Sequence, residues 1–162
     1  MPANAGRLSV YLTRFCMTLK RRFFLCSAMI WMKRVSLENK FSLVRLAEEG
    51  SYKAAVEEYV EAKMFWLVMT GKKIDKIKEV QLDYESYLGG ISDLIGELVR
   101  RAIKMATDGK FKEVKKIHQI ADDIMAELVE FDMRSYLRTK YDQAKGHLRK
   151  IEQINYEINL RK

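Results

Sequence analysis

Apolar side chains recur every three or four residues over most of this 162-residue chain. No segment sustains the period-two alternation of a half-buried strand. Leu8, Leu12, Phe15, Leu19, Phe23, Cys26 and Ile30 form one stripe, which predicts a first helix over residues 8–34. A second helical stretch covers residues 36–49, with Gly50 as its end and Ser51 as the cap of the next helix. The third runs to about Thr70, where Gly71-Lys72-Lys73 breaks it. After a polar connector the fourth spans about residues 83–107 and stops at the turn signal Asp108-Gly109. The fifth, residues 110–130, turns Phe111, Val114, Ile117, Ala121, Ile124 and Leu128 inward. Asp132 is the expected cap of the last helix, whose stripe is Leu137, Tyr141, Ala144, Leu148, Ile151 and Ile158.

A single proline, Pro2, and only 8 glycines leave little to interrupt these helices. Without a linker between them, the pattern predicts an all-α antiparallel bundle of about six helices. Residues 1–35 form a basic, apolar N-terminal helix, and residues 36–162 form the helical domain proper.

Charge changes this picture in one place. The net charge of +8 resembles a nucleic-acid signature. Seven of the 30 basic side chains, Arg7, Arg14, Lys20, Arg21, Arg22, Lys33 and Arg34, lie in residues 1–35, which hold no acid. That leaves 23 basic against 22 acidic side chains over residues 36–162, so the body is nearly neutral and any polyanion meets local patches rather than an overall field.

From Phe23 to Met32 the first helix is apolar nearly all round, between Lys20-Arg21-Arg22 and Lys33-Arg34. These ten residues are too few to span a bilayer. The long leader and the missing small-residue pattern argue against a signal peptide. A buried or interface helix is the first reading and a membrane-surface helix the second; no membrane partner is expected. Cys16 and Cys26, ten apart, make no disulfide framework and no metal-ligand spacing, so a cytoplasmic setting is expected. His118 and His147 are isolated in sequence and receive no role.

The chemistry-bearing pattern is a pair of acidic motifs, Glu58-Tyr59-Val60-Glu61 and Asp93-Leu94-Ile95-Gly96-Glu97. Steps of three and of four each set two side chains on one helix face. Acids at such spacing are most often a solvated face. Here Glu58 and Glu61 are expected to interrupt an apolar line continued by Ala54, Phe65 and Val68, beside Tyr59, Ala62 and Trp66. On the other helix the line Gly90, Asp93, Glu97, Arg101, Lys104 passes from glycine through acid to base, and Gly89-Gly90 allows close approach of a backbone or substrate. Two carboxylates ~5 Å apart at an effective dielectric of ~20 repel by roughly 3 kcal/mol. Four that converge in a partly buried pocket therefore protonate in part or take a cation. The all-oxygen set suits Mg²⁺ or Mn²⁺ and disfavours zinc. Arg100, Arg101 and Lys104 either pair with neighbouring acids or hold phosphates beside the metal.

From about Ala54 to Lys162 the chain resembles the translin superfamily, which comprises translin and its partner translin-associated factor X. The matching pieces are Glu58-Tyr59-Val60-Glu61-Ala62, Leu82-Asp83-Tyr84-Glu85-Ser86-Tyr87-Leu88-Gly89-Gly90 and Asp93-Leu94-Ile95-Gly96-Glu97-Leu98. Lys140-Tyr141-Asp142 and Arg149-Lys150-Ile151-Glu152 follow in the last helix. Residues 1–35 depart from the family's pattern, in which a longer and more acidic pair of helices precedes the first motif. The resemblance implies a closed, ring-like homo-oligomer around nucleic acid. Glu58, Glu61, Asp93 and Glu97 match the acidic set of the factor X branch, a Mg²⁺-dependent endoribonuclease of single-stranded RNA. Translin-type chains keep an acid at the place of Glu97 and lose the one at Asp93, so this chain looks like factor X at its site, as an archaeal-type homologue.

Two readings compete. In the first, the four acids are metal ligands and catalytic residues of an endoribonuclease, with Arg100, Arg101 and Lys104 as weaker nucleic-acid contacts. In the second, the chain is a non-catalytic binder of single-stranded RNA or DNA whose acids are structural. A helical scaffold or membrane-associated protein, driven by the basic start, is a distant third.

Overall fold

The computed structural model describes residues 50–74, 77 and 82–160. Every regular element among them is an α-helix: α1 (Gly50–Met69), α2 (Tyr84–Thr107), α3 (Phe111–Leu128) and α4 (Ser135–Leu160). The all-α expectation holds. The helices expected over residues 8–34 and 36–49, the boundary at residue 35 and both cysteines lie outside the described residues. The chain divides into two units, Met1–Asp75 and Lys76–Lys162.

In the first unit α1 buries Val56, Tyr59, Val60, Met64, Phe65 and Leu67. Gly50 and Ser51, expected at a helix break, are already inside α1. Its other end is set by Gly71, whose φ of 67° is open to glycine at little cost. The turn lets the Lys72 N–H reach Leu67 O at 2.9 Å and the Gly71 N–H reach Val68 O at 3.1 Å, the reciprocal pair that closes a helix around a left-handed residue.

In the second unit α2, α3 and α4 pack pairwise on one another. Asp83 caps α2: its Oδ1 accepts from the Ser86 backbone N–H at 2.7 Å and its Oδ2 from the Ser86 hydroxyl at 3.0 Å. The helix then buries Leu88, Leu94, Ile95, Leu98, Val99, Ala102 and Met105. Gly89 and Gly90 lie within the buried part of α2. Gly109, with φ 71°, ends α2 as Gly71 ends α1: Lys110 N–H donates to Met105 O at 2.8 Å and Gly109 N–H to Ala106 O at 3.0 Å.

The chain returns along α3, which buries Val114, Ile117, Ala121, Ile124 and Leu128 as expected. Phe111, expected inward, is 39% exposed: it is the first residue of α3 and precedes the turn where the buried line begins. Asp132 is not the cap of α4. The helix starts at Ser135, and the Asp132 carboxylate accepts instead from the Arg134 guanidinium, at 2.7 Å from Nη2. From there α4 buries Leu137, Ala144, Ile151 and Ile158, with Tyr141 and Leu148 half-buried on the same stripe. Among the described residues no helix is long and apolar enough to cross a membrane.

Leu98 is fully buried at the α2 core face. Leu98→Ala is expected to cost about 2–5 kcal/mol in urea unfolding, whereas Phe111→Ala costs less than about 0.5 kcal/mol. At Gly109 a Cβ would meet nothing within 4 Å, so Gly109→Ala isolates the backbone cost, about 1 kcal/mol.

Candidate functional site

Helical periodicity places the acids of α1 differently from expectation. The buried line of α1 runs through Val56, Val60 and Met64. Glu58 lies two residues from Val56 and Val60, on the opposite side of a helix with about 100° per residue, and it is exposed, as is Ala54. Only the later part of the expected line turns inward, with Glu61 half-buried and Phe65 buried. The buried acid of this helix is Glu57, 8% exposed, which spacing arguments passed over.

On α2, Asp93 and Glu97 share one half-buried face four residues apart. Each is held by a cation. Lys140 of α4 donates from Nζ to Asp93 Oδ2 across the helix seam. Arg100 donates to Glu97 Oε1 from one turn along α2. The two tethers differ in kind: the Lys140 side chain is 18% exposed and that of Arg100 is 74% exposed. Among the described residues, Asp93 Oδ1 and Glu97 Oε2 make no hydrogen bond.

Next to this pair, His147 of α4 lies over Gly96. A Cβ at position 96 would stand 3.5 Å from His147 Nε2, an ordinary contact that admits alanine and little more. Burial, reinforced by the positive charges of Lys150 and Arg100 and opposed by Asp93, pulls the imidazole below its ordinary range. His147 is therefore neutral at pH 7, and its Nδ1 is buried without a hydrogen-bond partner. The seam thus joins Asp93, Gly96 and Glu97 on α2 to Lys140 and His147 on α4. Lys140 and His147 are seven apart, two helical turns, and that spacing was the one signal in the sequence that they share a face.

The basic residues beyond the acids are mostly engaged. Lys104 pairs with Asp108 at 2.9 Å. The hydrogen bond from Lys104, opposed by desolvation and aided by the charges of Lys104, Lys110 and Arg101, holds the Asp108 carboxyl below its usual value. Arg101 is half-buried; burial lowers its pKa, with Asp108 and Glu113 pulling the other way.

Burial disfavours the Lys140 ammonium, but its hydrogen bonds to Asp93 and Tyr136, with the Asp93 charge, raise its pKa well above the ordinary lysine value. A cation whose pKa rises on folding stabilises the native state fully below its unfolded pKa and loses that contribution as pH climbs through the raised value. The stability difference between the parent chain and Lys140→Met is therefore expected to stay constant from pH 7 to about 10 and to shrink above that, as followed by urea unfolding at fixed ionic strength.

With this geometry in view, the likeness to known proteins is specific. The chain matches the curated Translin of Gallus gallus at 27% identity over 124 residues, 75% of this chain and 54% of that protein. An uncharacterized protein of Methanocaldococcus jannaschii is 31% identical over 98 residues, 58% of this chain and 44% of that protein. The chain thus spans about half the length of the curated relatives it matches. Among solved structures, the fold resembles that of an AfC3PO–duplex RNA complex, with a TM-score of 0.68 at 21% identity over 97% of this chain and 95% of that one. A crystal structure of AfC3PO gives 0.69 at 23% identity, over 95% of this chain and 78% of that one. The Translin family model matches residues 7–162, a span that takes in most of the basic start. The chain belongs to the Translin family.

Proposed function

We propose that this chain binds RNA and cleaves it as a Mg²⁺-dependent endoribonuclease of single-stranded RNA, working as a subunit of a homo-oligomer. Family membership and the fold shared with an RNA-bound relative support nucleic-acid binding. The observation that carries the nuclease reading is the half-tethered state of Asp93 and Glu97. Each carboxylate has one oxygen engaged by a protein cation and a second without a hydrogen bond among the described residues. Outer partners that orient ligating carboxylates are a regular feature of metal sites, so the residues present fit a hard divalent ion.

In this reading Asp93 and Glu97 would hold Mg²⁺, or Mn²⁺, through Oδ1 and Oε2. The role that the resemblance gives Glu58 and Glu61 belongs to the same proposal. When bound, the ion lowers the pKa of a coordinated water and offsets charge on the scissile phosphate. Lys140 fixes the Asp93 carboxylate from behind. A glutamate not fully engaged by metal accepts the water's proton. Arg100 and Lys104, both exposed, exchange their carboxylate partners for backbone phosphates as RNA arrives.

A second reading, a non-catalytic binder of translin type, is favoured by the same ion pairs. Asp93 with Lys140 and Glu97 with Arg100 are already balanced in charge. The decisive assay is cleavage of labelled single-stranded RNA, and of duplex RNA in parallel, with Mg²⁺ and with EDTA. Asp93→Asn and Glu97→Gln are expected to lower Mg²⁺-dependent cleavage by more than about 100-fold while RNA affinity persists. Lys140→Met, which removes the orienting partner of Asp93 as well as its contribution to stability, is expected to lower it by about 10–100-fold at a temperature where the variant is folded. Glu58→Gln and Glu61→Gln test the α1 acids separately. RNA binding by the parent chain without Mg²⁺-dependent products establishes the binder instead.

A further inference from the structure

A second cluster of metal-ligating groups lies on the seam between α3 and α4. His118 and Asp122, four apart on α3, meet Glu152 of α4, and one ligand atom from each lies within 4.8 Å of the others. His118 Nε2 is 3.4 Å from Asp122 Oδ2, yet it is buried and makes no hydrogen bond. Glu152 is exposed and makes no hydrogen bond or ion pair among the described residues.

The far side of the imidazole explains this arrangement. His118 Nδ1 faces the Asn155 amide, 3.3 Å from Nδ2, while Asn155 Oδ1 is buried without a partner. Turning that amide by half a rotation puts Oδ1 where Nδ1–H can donate to it and moves Nδ2 into the place Oδ1 held. A neutral imidazole so held carries its lone pair at Nε2. In that orientation Nε2 and the Asp122 and Glu152 carboxylates present one ligand atom each to a common point, where a shared cation would satisfy all three.

We propose that His118, Asp122 and Glu152 form a divalent transition-metal site, with Asn155 fixing the histidine tautomer from behind. One nitrogen and two carboxylate oxygens suit Zn²⁺ better than Mg²⁺ or Ca²⁺, which prefer all-oxygen sets. The exposed side, at Glu152, leaves room for water to complete the coordination. Glu58, Glu61, Asp93 and Glu97 are not among its three ligands.

The test is calorimetric titration of Zn²⁺ into the full chain carrying Cys16→Ser, Cys26→Ser, Asp93→Asn and Glu97→Gln, which removes competing thiols and the α2 acids. One Zn²⁺ per chain is expected. His118→Ala is expected to abolish binding, and Asp122→Asn and Glu152→Gln to weaken it at least about tenfold. Asn155→Leu, which touches no metal, is expected to weaken it about 10–100-fold. Glu152 is exposed, so its substitution does not endanger folding, and unfolding temperatures in EDTA check the others. No Zn²⁺ uptake by the parent, or an unchanged isotherm in both His118→Ala and Glu152→Gln, overturns the site.

Discussion

A charge taken partly out of water needs a counter-charge close at hand, and the α2–α4 seam is arranged around that requirement. Asp93 points toward α4, Lys140 meets it, and two helical turns further on His147 lies over Gly96. Burial alone would weaken the lysine's hold on its proton, but the carboxylate and Tyr136 more than reverse this. The pair thus ties α2 to α4 at one point of a seam that also buries Leu94, Leu98, Leu137, Ala144 and Ile151.

The helices were legible because their signals are local. Asp83 caps α2 through the Ser86 N–H three residues on, and Gly109 ends it through a left-handed turn. Both depend on residues within one turn of each other. The errors fell where local signals give way to tertiary surroundings. Phe111 has the hydrophobicity of a core residue but stands one turn too early to be covered. Asp132 is a fair cap by type, yet the chain needs two more residues before α4 begins, and Arg134 takes its carboxylate.

The site was less legible than the fold. That Asp93 and Glu97 share a face follows from their spacing; that a lysine 47 residues away holds one of them does not. Glu58 shows how a periodic argument fails when anchored to the wrong line: counted from Ala54 it looks inward, counted from Val56 and Val60 it looks outward. His147 appeared isolated because Gly96 is close in space and far in sequence, whereas His118 had Asp122 four residues on, a spacing passed over, and only Glu152 and Asn155 join it from afar.

The contrast between the two tethers has a consequence for how the acidic pair behaves in different solutions. Mobile ions at about 1 M shorten the reach of exposed charges to about 3 Å and leave partly buried pairs largely untouched. The Glu97–Arg100 contact, displayed on a single helix, belongs to the first class, and Asp93–Lys140 to the second. Ionic strength therefore loosens one carboxylate and spares its neighbour four residues away, so the two act as an adjustable jaw set against a fixed one.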